Sequence, residues 1–199
     1  MIDNFKQISS LLDFPTQDTF YFLQIIKRKK EHPEMPKSVK VIATHYIYSL
    51  EKLDELEEEI KMLCTYHNAR AYINLNKRSF ERLAFQMLKQ VTDCIMNKEY
   101  RYIRKSYNTV CGRFSDESGD SKKWIIDVDT KDDLRFYLAE EIRKLEPNPG
   151  ESKVITYIET KNGWHIITKP FNTEVFRTTL QTGTVVDIHK DNPTILFIP

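Results

Sequence analysis

Glycine is scarce in this chain, with five residues in 199. That argues against a glycine-rich loop wrapped around a phosphate and against a long flexible linker between domains. Cysteine is scarcer still. Cys64, Cys94 and Cys111 are odd in number, widely spaced and without a CxxC or Cys/His partner pattern. They read as three reduced thiols of a cytosolic protein, not as ligands of a zinc knuckle. No apolar run approaches the roughly 18 residues that span a bilayer. The N-terminal segment MIDNFKQISSLLDF is acidic and polar, unlike a signal peptide. A cytoplasmic protein without membrane partners is expected. Charge of one sign is also lacking: 30 Lys and Arg against 29 Asp and Glu leave a formal net charge of +1. Any contact with nucleic acid must then come from local patches.

What is present is ordinary for a globular protein, 40% hydrophobic and 30% charged. The length suits one large domain or two small ones. Residues 1–15 read as a short helix closed by Pro15. Residues 20–26 and 39–48 are β-branched and aromatic and suit strands. Ser49 can cap a helix over 50–64, where Leu50, Leu53, Leu56, Ile60 and Leu63 recur at helical spacing. A strand at 70–75 follows. Ser79 then caps a long helix with Phe80, Leu83, Ala84, Met87, Leu88, Val91 and Ile95 on its apolar face. Residues 97–123 are polar and irregular. Beyond them come a strand at 124–128, a helix at 131–145 and strands at 154–159 and 164–168. A helix at 173–180 and strands at 185–188 and 195–198 complete the order. The turn Thr160-Lys161-Asn162-Gly163 carries Asn-Gly, a strong hairpin signal. The layout predicts an α+β fold with mixed sheets and helices on one face. It divides into an N-terminal αβ lobe over 1–120 and a β-rich lobe over 121–199, with 97–123 lining the space between them.

Three places could carry chemistry. In WIIDVDT, residues i and i+2 of a strand share a face, so Asp127 and Asp129 stand side by side at the end of an apolar strand. Adjacent carboxylates repel unless a cation lies between them or one is protonated. Mg²⁺ is commonly held by one or two carboxylates plus substrate phosphates. The competing reading has Asp129 capping the next helix and Asp127 in solvent. His165 follows the hairpin turn. It suits either a packed core histidine or a donor to a phosphate oxygen, flanked by Lys161 and Lys169. Asp187, in VVDIHKD, is a surface residue taken alone and completes a three-carboxylate site taken with the pair.

The order Asp-x-Asp, then TKNGWH, then VVDIHKDNPTILFIP resembles the archaeo-eukaryotic primase superfamily, most closely its small primase–polymerase branch. The match covers about residues 120–199, with a looser likeness before it. Compared with that family, the turn into His165 is poor in glycine, and Asn192-Pro193 stands where the third motif has a glycine-rich turn. The resemblance implies a two-lobed fold with an RRM-like mixed sheet flanked by helices. It implies a nucleotidyltransferase acting on nucleoside triphosphates and a single-stranded DNA or RNA template. Asp127, Asp129 and Asp187 would bind Mg²⁺ or Mn²⁺, with a separate helicase or replication protein as a further partner. His165, Lys161, Thr160, Lys169 and Arg113 would contact the nucleotide. A phage or plasmid origin would suit such a chain. Two other functions remain open: a non-catalytic module binding nucleic acid or a replication protein, and a metal-dependent nuclease.

Lys98, Arg101, Arg104 and Lys105 interleave with Tyr100, Tyr102 and Tyr107. That mixture suits a single strand, by phosphate contact and base stacking, or an ordinary solvated surface. The basic run 27–30 reads equally as an edge strand protected by charge. His32, His45 and His67 have no evident partners, and His189 is close enough to Asp187 to support it.

Overall fold

A computed structural model of the chain describes residues 1–113, 121–180 and 186–199. The elements run β1 (Ile2–Asp3), α1 (Phe5–Ser9), β2 (Thr19–Arg28), β3 (Val39–Ile47), α2 (Leu50–His67), β4 (Arg70–Asn74), β5 (Arg78–Ser79) and α3 (Phe80–Met96). A 3₁₀ helix (Tyr100–Lys105) leads into α4 (Ser106–Arg113). Then come β6 (Trp124–Val128), α5 (Leu134–Arg143), β7 (Val154–Glu159), β8 (Trp164–Thr168), α6 (Thr173–Thr179), β9 (Asp187–His189) and β10 (Pro193–Ile198). Among these residues no helix is long and apolar enough to cross a membrane.

The fold is α+β and holds two sheets, one ordered β1-β10-β4-β2-β3 with β5 paired to β2, the other β7-β8-β6-β9. Every described ladder is antiparallel. The expectation of mixed sheets is corrected by the way the helical connections close. β3 and β4, joined through α2, run in the same direction, but β2 lies between them. β6 and β7, joined through α5, are likewise separated by β8. Both are split β-α-β units, in which an inserted strand turns a parallel pair into two antiparallel ones. The expected lobe boundary after residue 120 is corrected as well. β10 leaves the second half of the chain to pair with β4 and β1 in the first sheet.

Local chemistry explains the two long helices. Ser49 and Ser79 accept hydrogen bonds from the backbone N–H groups of Lys52 and Arg82, each at 3.1 Å, and so cap α2 and α3. Asn68 ends α2 in the left-handed conformation, with φ 45°. α2 buries Leu53, Leu56, Ile60 and Cys64 against Leu23, Ile25, Ala71 and Ile73 of β2 and β4. The inward side of the second sheet, with Ile125, Ile158 and Ile167, joins this core. Its outer side, with Trp124, Ile126, Val128 and Ile166, packs on Leu138 and Ile142 of α5 and Phe176 of α6.

α3 departs from expectation. Of its predicted apolar face only Leu83 is fully buried, while Leu88 and Ile95 stay exposed. Through Leu83 the helix packs on Phe20 and Phe22 in the first part of β2 and on Val110 and Cys111 of α4. The same contact orders residues 100–113, expected to be irregular, as helical turns packed on α3.

A buried polar junction ties the sheets together. The Asn76 Nδ2 donates to Lys123 O at 2.9 Å and to Asp191 Oδ1 at 3.0 Å, and its Oδ1 accepts from Lys123 N at 2.7 Å. Arg78 beside it donates to Cys111 O at 2.6 Å. This fixes the start of β6 and the β9–β10 turn relative to β4. Asn76→Ala strips partners from buried backbone groups and should lower the free energy of unfolding by roughly 2–3 kcal/mol, read from the urea midpoint.

Candidate functional site

The register of the second sheet brings distant residues into one row. Asp127 on β6 lies opposite His165 on β8 and opposite Asp187 on β9. All three share the inward face because positions paired across a ladder do. Asp129 stands one residue beyond β6, on the same face, and is exposed. It does not cap the next helix. α5 begins only at Leu134, and the Leu134 N–H donates to Asp132 Oδ1 at 2.9 Å. Asp127 is half-buried rather than in solvent. The capping reading of the pair is therefore replaced by one in which both carboxylates face inward.

They face a cleft of about 510 Å³ that they share with His165, Thr160, Lys161 and His189. The opposite wall is the open face of the first sheet. Gln24 pairs with Tyr72 and Ile26 with Arg70, which puts Arg70, Tyr72 and Arg28 on that wall. Arg28 Nη1 donates to the Tyr72 hydroxyl at 3.3 Å. Cations of β2 and β4 thus confront carboxylates of β6 across a gap of ligand size.

Burial raises the Asp127 carboxyl above its ordinary range. Asp129 and Asp187 push in the same direction, while His189 and Arg28 oppose them. Burial also lowers His165, to about 4, with His189 adding to the effect. Its Nε2 lies 3.5 Å from Asp127 Oδ1, a pair that would be ionic only with a protonated ring. Burial outweighs that attraction, so the ring is neutral at physiological pH. Its Nδ1 is 2.8 Å from the Thr194 hydroxyl. A carboxylate only accepts, so the tautomer that suits both neighbours has Nε2–H toward the cleft and Nδ1 accepting from Thr194. Thr194→Val removes that partner. The ¹⁵N shifts of His165 should then change from a single Nε2–H form to a mixture, with a loss of about 1–2 kcal/mol in stability.

The β7–β8 turn completes the rim. Thr160 N–H donates to Gly163 O at 3.0 Å, and Gly163 N–H donates to Thr160 Oγ1 at 3.1 Å. The Thr160 side chain is thus committed to shaping the turn, while Lys161 at its tip is exposed.

Three expected residues are not among those lining the cleft: Asp187, exposed on β9 although it pairs with Asp127, and Lys169 and Arg113. Lys169 lies past the opposite end of β8, four residues from His165, roughly 13 Å away at the rise of a strand. Arg113 ends α4, whose buried side packs on Phe20 and Phe22. For the same reason the tyrosines and basic residues of 100–107 are not among the residues lining the cleft. The remainder of that predicted connecting stretch, 114–120, lies outside the described residues, as does Val185, the start of the strand expected at 185–188. Sequence reasoning missed Arg70, Tyr72 and Glu31, and read Arg28 within a basic cluster that suits nucleic acid or equally a charged edge. Their place depends on which strand pairs with β2, and no local pattern announces that.

Asp127, Asp129 and Asp187 offer oxygen donors, the kind a hard divalent cation takes. A cation there would offset the burial and the like charges of Asp129 and Asp187 that raise Asp127. Among the described residues no group of three or more His, Cys, Asp or Glu is close enough to cage a metal alone. Phosphate oxygens and water would have to complete the shell, the usual manner for Mg²⁺. Comparison with protein-family models, curated proteins and solved structures finds no match to the chain.

Proposed function

We propose that the cleft is the nucleotide site of a metal-dependent nucleotidyltransferase of the primase–polymerase kind, built on a two-lobed primase-like fold. The observation that carries this reading is His165, Asp127 and Asp129 facing Arg28 and Arg70 across the cleft, with Asp187 paired to Asp127 on β9. Asp127, Asp129 and Asp187 would hold Mg²⁺ or Mn²⁺. When bound, such a cation neutralises phosphate charge and activates a 3′-hydroxyl for attack. The remaining work falls to side chains of the chain itself. Arg28 and Arg70 balance the charge of a triphosphate, and Lys161 closes over it from the turn. His165 presents Nε2–H to a phosphate oxygen, held in that tautomer by Thr194. Ile26, Tyr72, Pro193 and Ile195 give the cleft an apolar floor for the nucleoside. The exposed Tyr100 and Tyr102 supply stacking surfaces for a single-stranded template, with Arg101 4.8 Å from the Tyr102 ring centroid.

Incubation with a single-stranded template, nucleoside triphosphates and Mn²⁺ should give an extended product that is lost in Asp127→Ala and Asp129→Ala. Identical behaviour of wild type and both variants would sink the reading. Cleavage of single strands without added triphosphate would replace it with a nuclease. Salt-sensitive DNA binding without any stabilisation by Mn²⁺ would replace it with a binding module.

A further inference from the structure

The cations of the cleft already hold an anion. Glu31, in the connection between β2 and β3, forms an ion pair with Arg70 of β4, and its Oε1 lies 4.0 Å from Lys161 Nζ on the β7–β8 turn. One carboxylate therefore joins a cation of the first sheet to a cation of the second. Its position is built rather than incidental. The Glu31 N–H donates to Arg28 O at 2.9 Å, and the His32 N–H to the same oxygen at 3.0 Å. The buried His32 ring meets Asn68 O at 2.7 Å through Nε2 and Glu34 at 3.3 Å through Nδ1. Asn68 is the cap of α2, two residues before Arg70. His32, without an evident partner in the sequence, thus moors the loop that delivers Glu31.

Glu31, Arg70 and Lys161 also line a second cavity of about 540 Å³, bordered by the Lys131–Glu159 ion pair at 2.7 Å. With Lys30, which also lines both, these three residues stand between this cavity and the cleft of Asp127.

We propose that Glu31 is a built-in stand-in for a ligand's phosphate. A polyphosphate entering the cleft takes Arg70 and Lys161 from the Glu31 carboxylate, which swings out and opens the cleft to the second cavity. The chemistry favours the exchange. A guanidinium binds carboxylate and phosphate in the same forked geometry, and a polyphosphate brings more negative charge than one carboxylate. Glu31 is only 21% exposed at its side chain, so it is held in place, yet it borders two cavities into which it can move. Until it is displaced, apparent affinity is reduced in proportion to the fraction of molecules with free cations. This deepens the nucleotide reading of the cleft and rests on it for the identity of the anion.

The test is calorimetric titration of the full chain with inorganic tripolyphosphate, with and without Mg²⁺, at fixed salt. Glu31→Gln should bind about tenfold more tightly than wild type, and Lys161→Gln more weakly. Affinity of Glu31→Gln equal to or below wild type overturns the stand-in. Should Glu31→Gln fail to fold, Glu31→Asp, whose shorter side chain falls back from Lys161, should show a smaller tightening, and none would overturn it equally. Tightening in Glu31→Gln with Mg²⁺-dependent binding untouched by Asp127→Asn would support the stand-in and remove the metal–nucleotide reading. Weakening by Asp127→Asn with no effect of Glu31→Gln would do the reverse. No binding to wild type or Glu31→Gln overturns both.

Discussion

Under the proposed function, Asp127→Asn should lower template-directed nucleotide transfer by roughly 10²–10³-fold or more while leaving the fold as stable as wild type or more so. The two halves of this expectation have one cause. The Asp127 carboxylate is half-buried at the centre of a row, with Asp129 beside it, Asp187 across one ladder and a neutral His165 across the other. Without a cation, burial and two like charges disfavour its ionised form, and only His189 and Arg28 offset them. Asparagine keeps the shape and removes the charge, so it relieves the fold and removes the central ligand of the proposed cation site. Melting temperature should hold or rise by a few degrees, since about 1 kcal/mol corresponds to roughly 2–4 °C at this size. The stabilisation by added Mn²⁺ that the proposal expects of wild type should be absent from the variant. A merely structural carboxylate would behave in the opposite way: its amide would melt lower and retain activity. The combination of lost function and retained stability is the signature of a group kept in an unfavourable place for its chemistry.

The parts of this fold legible from sequence are those fixed within a few residues. Ser49 and Ser79 cap the predicted helices, and Thr160 to Gly163 makes the predicted turn. The alternation in WIIDVDT correctly places Ile125 and Asp127 on one face and Trp124, Ile126 and Val128 on the other. The α+β class follows from the same local signals. What was not legible depends on pairing between distant segments. Arg70 and Arg28 share the wall of the cleft because β2 and β4 pair with Ile26 opposite Arg70. A shift of one residue would turn both to the other side. Lys169 was chosen for nearness to His165 along the chain, yet nearness along a strand means separation in space. β10 follows the second sheet in sequence and completes the first in space. It carries Thr194 to His165, which is how a residue of the first sheet comes to orient a histidine of the second.

Gly163→Ala should be the most damaging single-methyl substitution at the site. A Cβ at residue 163 would overlap Val128 O and lie 2.7 Å from Thr130 N and 2.9 Å from Thr130 O. All three atoms are backbone, so no side chain can swing away. The atoms that must move flank Asp129 and end the strand that carries Asp127. In a chain with five glycines, one is spent where the hairpin turn closes against the acidic strand. The turn can open, breaking the hydrogen bonds between Thr160 and Gly163, or β6 can retreat and carry the carboxylates from the row. Either adjustment costs about 1–3 kcal/mol or more. Urea unfolding should show that loss directly. Under the proposed metal site, Mn²⁺-dependent stabilisation should fall further than the global loss explains, because the displaced atoms belong to the strand that carries Asp127. Gly112→Ala is the matching control, since a Cβ there meets nothing within 4 Å; as an alanine replacing a helical glycine it should hold or slightly raise the urea midpoint and leave the Mn²⁺ response unchanged. Equal stability and equal Mn²⁺ response in Gly163→Ala and Gly112→Ala would mean that the turn does not press on the acidic strand. The coupling between His165's hairpin and the Asp127–Asp129 pair would then have to be abandoned.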